Sequence, residues 1–310
     1  MTESALTRPA PLGHVQAIGN DVYAFVQPDG GWCLNNVGIV IGPELVVVVD
    51  TAATEQRTRT LLASVEGLAP GRPKAVVNTH FHGDHTLGNV FFDGDTRIFA
   101  HVGMRALMAG TGLALTEMWP QVEWGAVDVR LPDVEVSDFA VVHTGSHRVE
   151  MRYVGVSHTD HDLVVWLPDE RVLFAGDQVL SGCTPFLLFG SVVGARAALR
   201  VLQDLRPQVV VPGHGTVAGP EIITDNIDYL DWILDLATRA IRDGREPARV
   251  VRDAGPGPLP NWIDSERHVA NVHRAIADLQ GVPGGAPLDL AVVMADVDAA
   301  CPGGRVTCRA

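Results

Sequence analysis

At 310 residues, with 46% hydrophobic and 19% charged side chains, the chain can bury a large core and reads as globular. A formal charge of -14 at pH 7 lacks the basic footprint that a nucleic-acid partner requires. Apolar runs such as residues 45–49 are far too short to cross a bilayer. No basic segment followed by an apolar stretch marks the first residues, so a cytoplasmic protein without membrane contact is expected. Cys33, Cys183, Cys301 and Cys308 form no C-x-x-C pair and are expected as free thiols.

Strands are expected over residues 22–26, 36–41 and 45–49, where β-branched and aromatic residues lie between turn signals at Pro28-Asp29-Gly30-Gly31 and Gly42-Pro43. A helix follows over 54–65, with Thr51 or Thr54 as its N-cap. A buried strand over 75–78 leads into Thr79-His80-Phe81-His82-Gly83-Asp84-His85, and a short helix opens at His85. The second half repeats this arrangement. Strands are expected over 151–156, 163–167, 171–175 and 209–211, and helices over 191–205 and 220–241. The Gly/Pro-rich stretch 254–260 reads as a linker, followed by helices over 264–279 and 288–300. The pattern predicts an α/β protein, two sheets sandwiched between helices, with a domain over 13–243 and a C-terminal helical extension over 244–310 packed on it.

The run of residues 80–85 carries three imidazoles and a carboxylate, which are ligand types that suit zinc and similar borderline cations. A core does not need so many polar groups side by side, because buried polar groups without partners are costly. Three further segments place a ligand-type side chain at a strand end beside a glycine or a tight turn: Ser157-His158-Thr159-Asp160-His161-Asp162, Gly176-Asp177 and Pro212-Gly213-His214-Gly215. Asp160 and Asp162 either orient His158 or shape its turn, and His161 is left outside the ligand set.

The ordered set H-x-H-x-D-H, His158, Gly176-Asp177 and Pro-Gly-His-Gly resembles the metallo-β-lactamase superfamily over roughly residues 13–240. That resemblance implies an αββα sandwich and two zinc ions, with other divalent metals as alternatives. His80, His82 and His158 would hold one ion, Asp84, His85 and His214 the other, and Asp177 would bridge them. Asp84 is also the catalytic candidate. The best-known secreted β-lactamases of this group carry a cysteine where this chain has Asp177, so lactam hydrolysis is not the first expectation.

A narrower likeness rests on Gly31-Trp32-Cys33, residues 112–116, Trp119-Pro120, residues 183–192 and the tail 301–308. These are similar to the second-ring cyclases of aromatic polyketide biosynthesis, actinorhodin type. The resemblance implies a cyclase that is also a thioesterase, acting on a polyketide held by an acyl carrier protein. The alternative is a metal-dependent hydrolase of a thioester, lactone or lactam. Trp32, Trp119, Phe186 and Phe189 are the candidates for binding a flat aromatic ligand, together with Met118 and Trp124 in a loop-like stretch. Arg239, Arg242, Arg245, Arg249 and Arg252 would share one face if the helix were continuous and would then offer an acidic carrier protein a docking stripe; Gly244 and Pro247 argue for a break and Asp243 and Glu246 dilute the charge, which favours the alternative of a solvated face.

Overall fold

The computed structural model describes residues 12–301 and 303–310; the expectation drawn from the first residues lies outside that range. Four strands open the chain: β1 (His14–Gly19), β2 (Val22–Val26), β3 (Val37–Ile41) and β4 (Val46–Val49). Helix α1 (Glu55–Leu68) crosses to β5 (Lys74–Val77). The short helix α2 (Gly83–Thr86) and a 3-10 turn (Leu87–Phe91) lead to β6 (Arg97–His101), and α3 (Met104–Thr111) and α4 (Ala114–Met118) lead to β7 (Val134–Val136). These seven strands form one sheet in sequence order, antiparallel from β1 to β4 and parallel from β4 to β7.

The second sheet is built from β8 (Phe139–His143), β9 (Arg148–Tyr153), β10 (Leu163–Leu167), β11 (Val172–Leu180) and β12 (Val209–His214), in the order β12-β11-β10-β9-β8. Helix α5 (Val192–Asp204) joins β11 to its parallel neighbour β12. Helices α6 (Glu221–Asp243), α7 (Pro247–Ala254), α8 (Arg267–Leu279) and α9 (Leu290–Ala300) complete the chain.

The period-2 alternation of strand side chains explains the layering. In β4, Val47 and Val49 face a cluster shared with Met151, Leu163, Val165 and Phe174 of the second sheet, while Val46 and Val48 pack with Leu61 and Val65 of α1. In β10, Val165 points into the sandwich, and Val164 and Trp166 pack with residues of α5, α6 and α8. Both faces of these strands are buried, so they read as continuous apolar runs. Each fully buried Val or Leu side chain contributes about 1.5–3 kcal/mol. The two sheets approach closely at Gly38, where an added Cβ would lie 2.6 Å from the Phe174 ring.

The expected αββα sandwich is present, with C-terminal helices packed against it. Val272 and Ala275 of α8 join the cluster around α5 and α6, whereas Val269 and Ala270 join Val293 and Val297 of α9 around Trp119 and Phe186. Thr54 rather than Thr51 caps α1, accepting from the Arg57 backbone N–H. The strand expected to stop at residue 175 continues to Leu180. The segment carrying Met118 is helix α4 rather than a loop.

The helix breaks at Gly244 and Pro247, as those residues suggest, so no continuous arginine-bearing helix forms. Gly244 adopts a left-handed conformation (φ 61°) that ends α6, and Pro247 starts α7. Arg239, Arg242 and Arg245 are paired with Asp235, Asp243 and Asp253. Only Arg249 and Arg252 of the stripe lack an ion pair among the described residues, so it is largely neutralised locally. Among the described residues no helix is long and apolar enough to cross a membrane.

Candidate metal centre

Strand ends from both sheets meet at one rim. Leu163 N–H donates to the Thr79 carbonyl at 2.7 Å, and Asn36 N–H donates to the Gly213 carbonyl at 2.6 Å, which locks the loop after β5 and the end of β12 onto the opposite sheet. Gly213 is required there, because a Cβ would lie 1.9 Å from Asp177 Oδ1.

All seven residues expected as ligands converge at this rim. They fall into two groups, His80, His82, His158 and Asp177, and Asp84, His85 and His214, with the donor atoms of each group within 4.8 Å of one another. His82 Nδ1 is 3.1 Å from His80 Nε2 and 2.9 Å from His158 Nε2. His214 Nε2 is 3.4 Å from His85 Nε2 and 3.3 Å from Asp84 Oδ2. Asp177 Oδ2 lies 3.5 Å from both His158 Nε2 and His214 Nε2, and Oδ1 lies 3.1 Å from His85 Nε2. Asp177 therefore stands between the groups, as a bridging carboxylate would.

The hydrogen-bond network assigns the tautomers. Thr79 Oγ1 donates to Asp50 Oδ2 (2.7 Å), so it accepts from His80 Nδ1–H (3.0 Å). His85 Nδ1–H donates to Asp50 Oδ2 (2.9 Å), and His214 Nδ1–H donates to the Gly31 carbonyl (3.3 Å). Each of these rings thus turns an Nε2 lone pair toward the centre. A proton on His82 Nδ1 can serve only one of its two neighbouring nitrogens; a cation can serve all three. His82 Nε2, His158 Nδ1 and Asp177 Oδ1 are buried without hydrogen-bond partners among the described residues. For ligands about 2.0–2.1 Å from a zinc ion, such close nitrogens suit tetrahedral coordination. The donor set therefore fits metal.

Electrostatics point the same way. Burial holds His82 at about 4 and His158 at about 3, and pushes His80 well below the usual imidazole range, so all three stay neutral, as metal binding would require. Burial opposes charge on His85 as well, but Asp177, Asp84 and Asp50 outweigh it and raise this ring. Burial alone would raise Asp84 and Asp177; the surrounding imidazoles bring both below the ordinary carboxylate range. The carboxylates that would protonate His85 would equally attract a cation.

Asp50 was not among the expected site residues. It follows β4, is 1% exposed and has φ 67°. Its carboxylate accepts from Thr79 N–H and Oγ1–H as well as from His85, fixing two ligand-bearing segments at once. Asp50→Ala is expected to weaken metal binding about 10–100-fold, measured by competition with a zinc chelator. An unchanged affinity would remove Asp50 from the centre. Asp162 accepts from Thr159 N–H (2.8 Å) and Oγ1–H (2.6 Å), which shapes the turn and leaves His158 alone. His161 stacks on His101 at 4.8 Å, apart from the ligand groups.

Above the two groups lies an open pocket lined by His82, Asp84, His158, Asp177 and His214 at one end. Trp32, Leu115, Met118, Trp119, Phe186, Phe189, Leu290 and Met294 supply its apolar walls, and Arg267 also lines it. Trp32, Trp119, Phe186 and Phe189 thus all reach the pocket. Trp124 instead packs in the cluster behind it, donating Nε1–H to the Trp119 carbonyl.

A sequence model of the metallo-beta-lactamase superfamily matches residues 30–214. The linear primary-alkylsulfatase of Pseudomonas sp. (strain ATCC 19151) is 25% identical over 256 residues, covering 69% of this chain and 48% of the relative. This chain therefore spans about half the length of that protein. The metallo-beta-lactamase type 2 of Bacillus cereus is 26% identical over 192 residues, 60% of this chain and 68% of the relative. The hydroxyacylglutathione hydrolase of Methylococcus capsulatus is 25% identical over 218 residues, 67% of this chain and 74% of the relative. Among solved structures, the DIM-1 metallo-beta-lactamase superposes with a TM-score of 0.57 at 20% identity, covering 72% of this chain and 98% of its own. The inverting sec-alkylsulfatase Pisa1 from Pseudomonas sp. gives 0.69 at 18% identity, covering 87% of this chain and 50% of its own. These structural likenesses carry the fold alone. The family match spans more than half of the chain and includes the whole ligand set, and the chain belongs to the metallo-beta-lactamase superfamily.

Proposed function

We propose that the protein is a metal-dependent hydrolase that cyclises and releases an aromatic polyketide carried as a thioester on an acyl carrier protein. The observation that carries this reading is the pocket: a slot with aromatic walls ends on five of the seven converging donor residues, as a flat acyl chain with one reactive carbonyl requires. A relative named for hydrolysing an acyl conjugate of glutathione supports the hydrolytic half.

His80, His82, His158, Asp84, His85, His214 and Asp177 would hold two zinc ions or similar dications. When bound, such a pair supplies Lewis acidity toward an acyl carbonyl and acidifies water near neutral pH. The chain's own residues do the positioning. Trp32, Trp119, Phe186 and Phe189 exclude water and limit how a flexible chain can fold, which raises the effective concentration of one ring-closing pair of atoms. Asp84 and Asp177 both line the pocket and stay ionised, which suits orienting a nucleophile rather than storing its proton.

Incubation with a carrier-linked poly-β-ketone, followed by mass spectrometry, is expected to give free carrier and a dehydrated bicyclic product. A linear acid alone would reduce the reading to thioester hydrolysis, and an unconsumed substrate would end it. Treatment with 1,10-phenanthroline is expected to stop turnover, and added zinc to restore it; activity that persists after chelation would contradict the metal assignment.

A further inference from the structure

We propose that Cys33 and Cys308 are a site of reversible oxidation, a thiol pair that closes to a disulfide and fastens the C-terminal tail across one wall of the metal pocket. The inference goes beyond the reaction proposed above and does not depend on its substrate. All four cysteines are free thiols, but they are not alike. Cys33 and Cys308 lie at opposite ends of the sequence, yet they share one apolar cluster with Trp119 and Phe186 and hydrogen-bond to each other through their side chains. The backbone beside them holds them together: Arg309 N–H donates to the Trp32 carbonyl at 3.1 Å. Such a strand-like bond spaces two segments about 5 Å apart, inside the separation that a disulfide spans. Cys183, by contrast, is fully buried, and Cys301 donates its Sγ–H to the Arg305 carbonyl at 3.1 Å.

Cys33 lines the pocket beside Trp32. Cys308 is covered by a single segment whose neighbours Thr307 and Arg309 are exposed, so lifting that segment bares it. The hydrogen bond from Cys33 lowers the Cys308 thiol below its ordinary range, whereas burial raises Cys33. Cys308 is therefore the thiol that ionises first, and the thiolate is the attacking form. With a low-molecular-weight disulfide such as glutathione disulfide, the Cys308 thiolate forms a mixed disulfide and releases one glutathione thiolate. Cys33 gives up its proton, attacks the Cys308 sulfur and releases the second. Two electrons and two protons pass to the oxidant, which leaves as two glutathiones. The tail already touches the aromatic walls: Trp119 Nε1–H donates to the Val306 carbonyl at 3.2 Å, and Arg57 Nη2–H donates to the Arg309 carbonyl at 3.3 Å. Those bonds open when the tail lifts; a covalent link beside Trp32 does not.

The test equilibrates the metal-loaded full chain in glutathione buffers from fully reduced to fully oxidised, followed by acid quench, alkylation and peptide mapping by mass spectrometry. The oxidised protein is expected to lose two of its four thiols and to yield a linked Cys33–Cys308 peptide, which reductant reverses. Backbone amides of residues 305–310 are expected to exchange with deuterium about tenfold more slowly in the oxidised form. Cys308→Ser is expected to abolish both effects, and Cys301→Ser to keep both. A link through Cys183 or Cys301, a persistent mixed disulfide, a covalent dimer, or four unreacted thiols in glutathione disulfide alone would overturn the proposal. A Cys33–Cys308 link that leaves tail exchange unchanged would overturn the fastening. The wild-type map decides the pairing even where a variant fails to fold. No acyl substrate enters the assay, so the thiol pair and the proposed cyclisation fail or stand separately.

Discussion

Asp177→Asn is expected to lower kcat/KM by about three orders of magnitude, the loss of several kcal/mol of transition-state stabilisation, and to lower the bound metal. The carboxylate lies within 3.9 Å of the Nε2 atoms of His80, His85, His158 and His214, so it touches both ligand groups. Asparagine keeps its size, and the tight space at Gly213 is respected. What disappears is the negative charge, leaving Asp84 as the only carboxylate in the two groups. Two dications a few ångströms apart repel strongly in a buried site, and a bridging anion offsets that repulsion. Emission spectrometry of the purified protein is expected to show fewer than half the metal equivalents of the wild type, with an unaltered circular dichroism spectrum. Full metal content with full activity would show that Asp177 does not bridge.

The legibility of this centre in the sequence follows from how its parts are distributed. Residues 80–85 are contiguous, and no core packing calls for such a run, so the ligands announce themselves. Of the other three, Asp177 and His214 follow Gly176 and Gly213 on the parallel neighbours β11 and β12, and His158 lies in the tight loop between β9 and β10. Asp50 carries no such signal. It becomes a partner of His85 only because β4 and β5 are parallel neighbours with Val49 opposite Val77, which puts residue 50 beside residues 78 and 79. Arg267, which lines the pocket, is hidden for a similar reason: it meets Trp32 only once α8 has packed into place, with neighbouring Glu266 bonded to the same ring.

The fold shows the same division. Strands buried on both faces, such as Val46–Val49 and Leu163–Leu167, stand out as apolar runs. The edge strand His14–Gly19 and the partly exposed Phe139–His143 mix polar and apolar residues and are not read as strands. They are strands because a neighbour pairs with them, and single-strand patterning does not record that. The break at Gly244 is a case where a residue decides: five arginines at helical spacing suggest one face, but a left-handed glycine followed by Pro247 divides them.

The strongest structural tie between the C-terminal helices and the sandwich is expected to be Arg274. Its side chain is fully buried, with Nε–H donating to Asp278 Oδ1 at 2.8 Å and Nη1–H to the Ala286 carbonyl at 2.9 Å. The other oxygen of Asp278 accepts from Ser191 Oγ–H at 2.9 Å and Val192 N–H at 2.7 Å. Asp278 thereby adds a negative charge to the start of α5, which its own cap Ser191 already opens. Arg274→Met would leave that buried carboxylate without its charge partner and would free the carbonyls of Ala286 and of Pro283, to which Nη2–H donates at 3.4 Å. Removing one partner of a buried pair costs about 3–5 kcal/mol, a large part of the roughly 5–15 kcal/mol that holds a domain folded. Thermal melts are expected to fall by roughly 10 °C, while the folded fraction keeps its metal, because neither residue belongs to the ligand groups. Arg274→Lys, which retains the charge but not the fork, is expected to lose less. A melting temperature unchanged within about 2 °C in Arg274→Met would show that the desolvation of this pair cancels its attraction, and that apolar packing of Val269, Val272 and Ala275 alone secures α8.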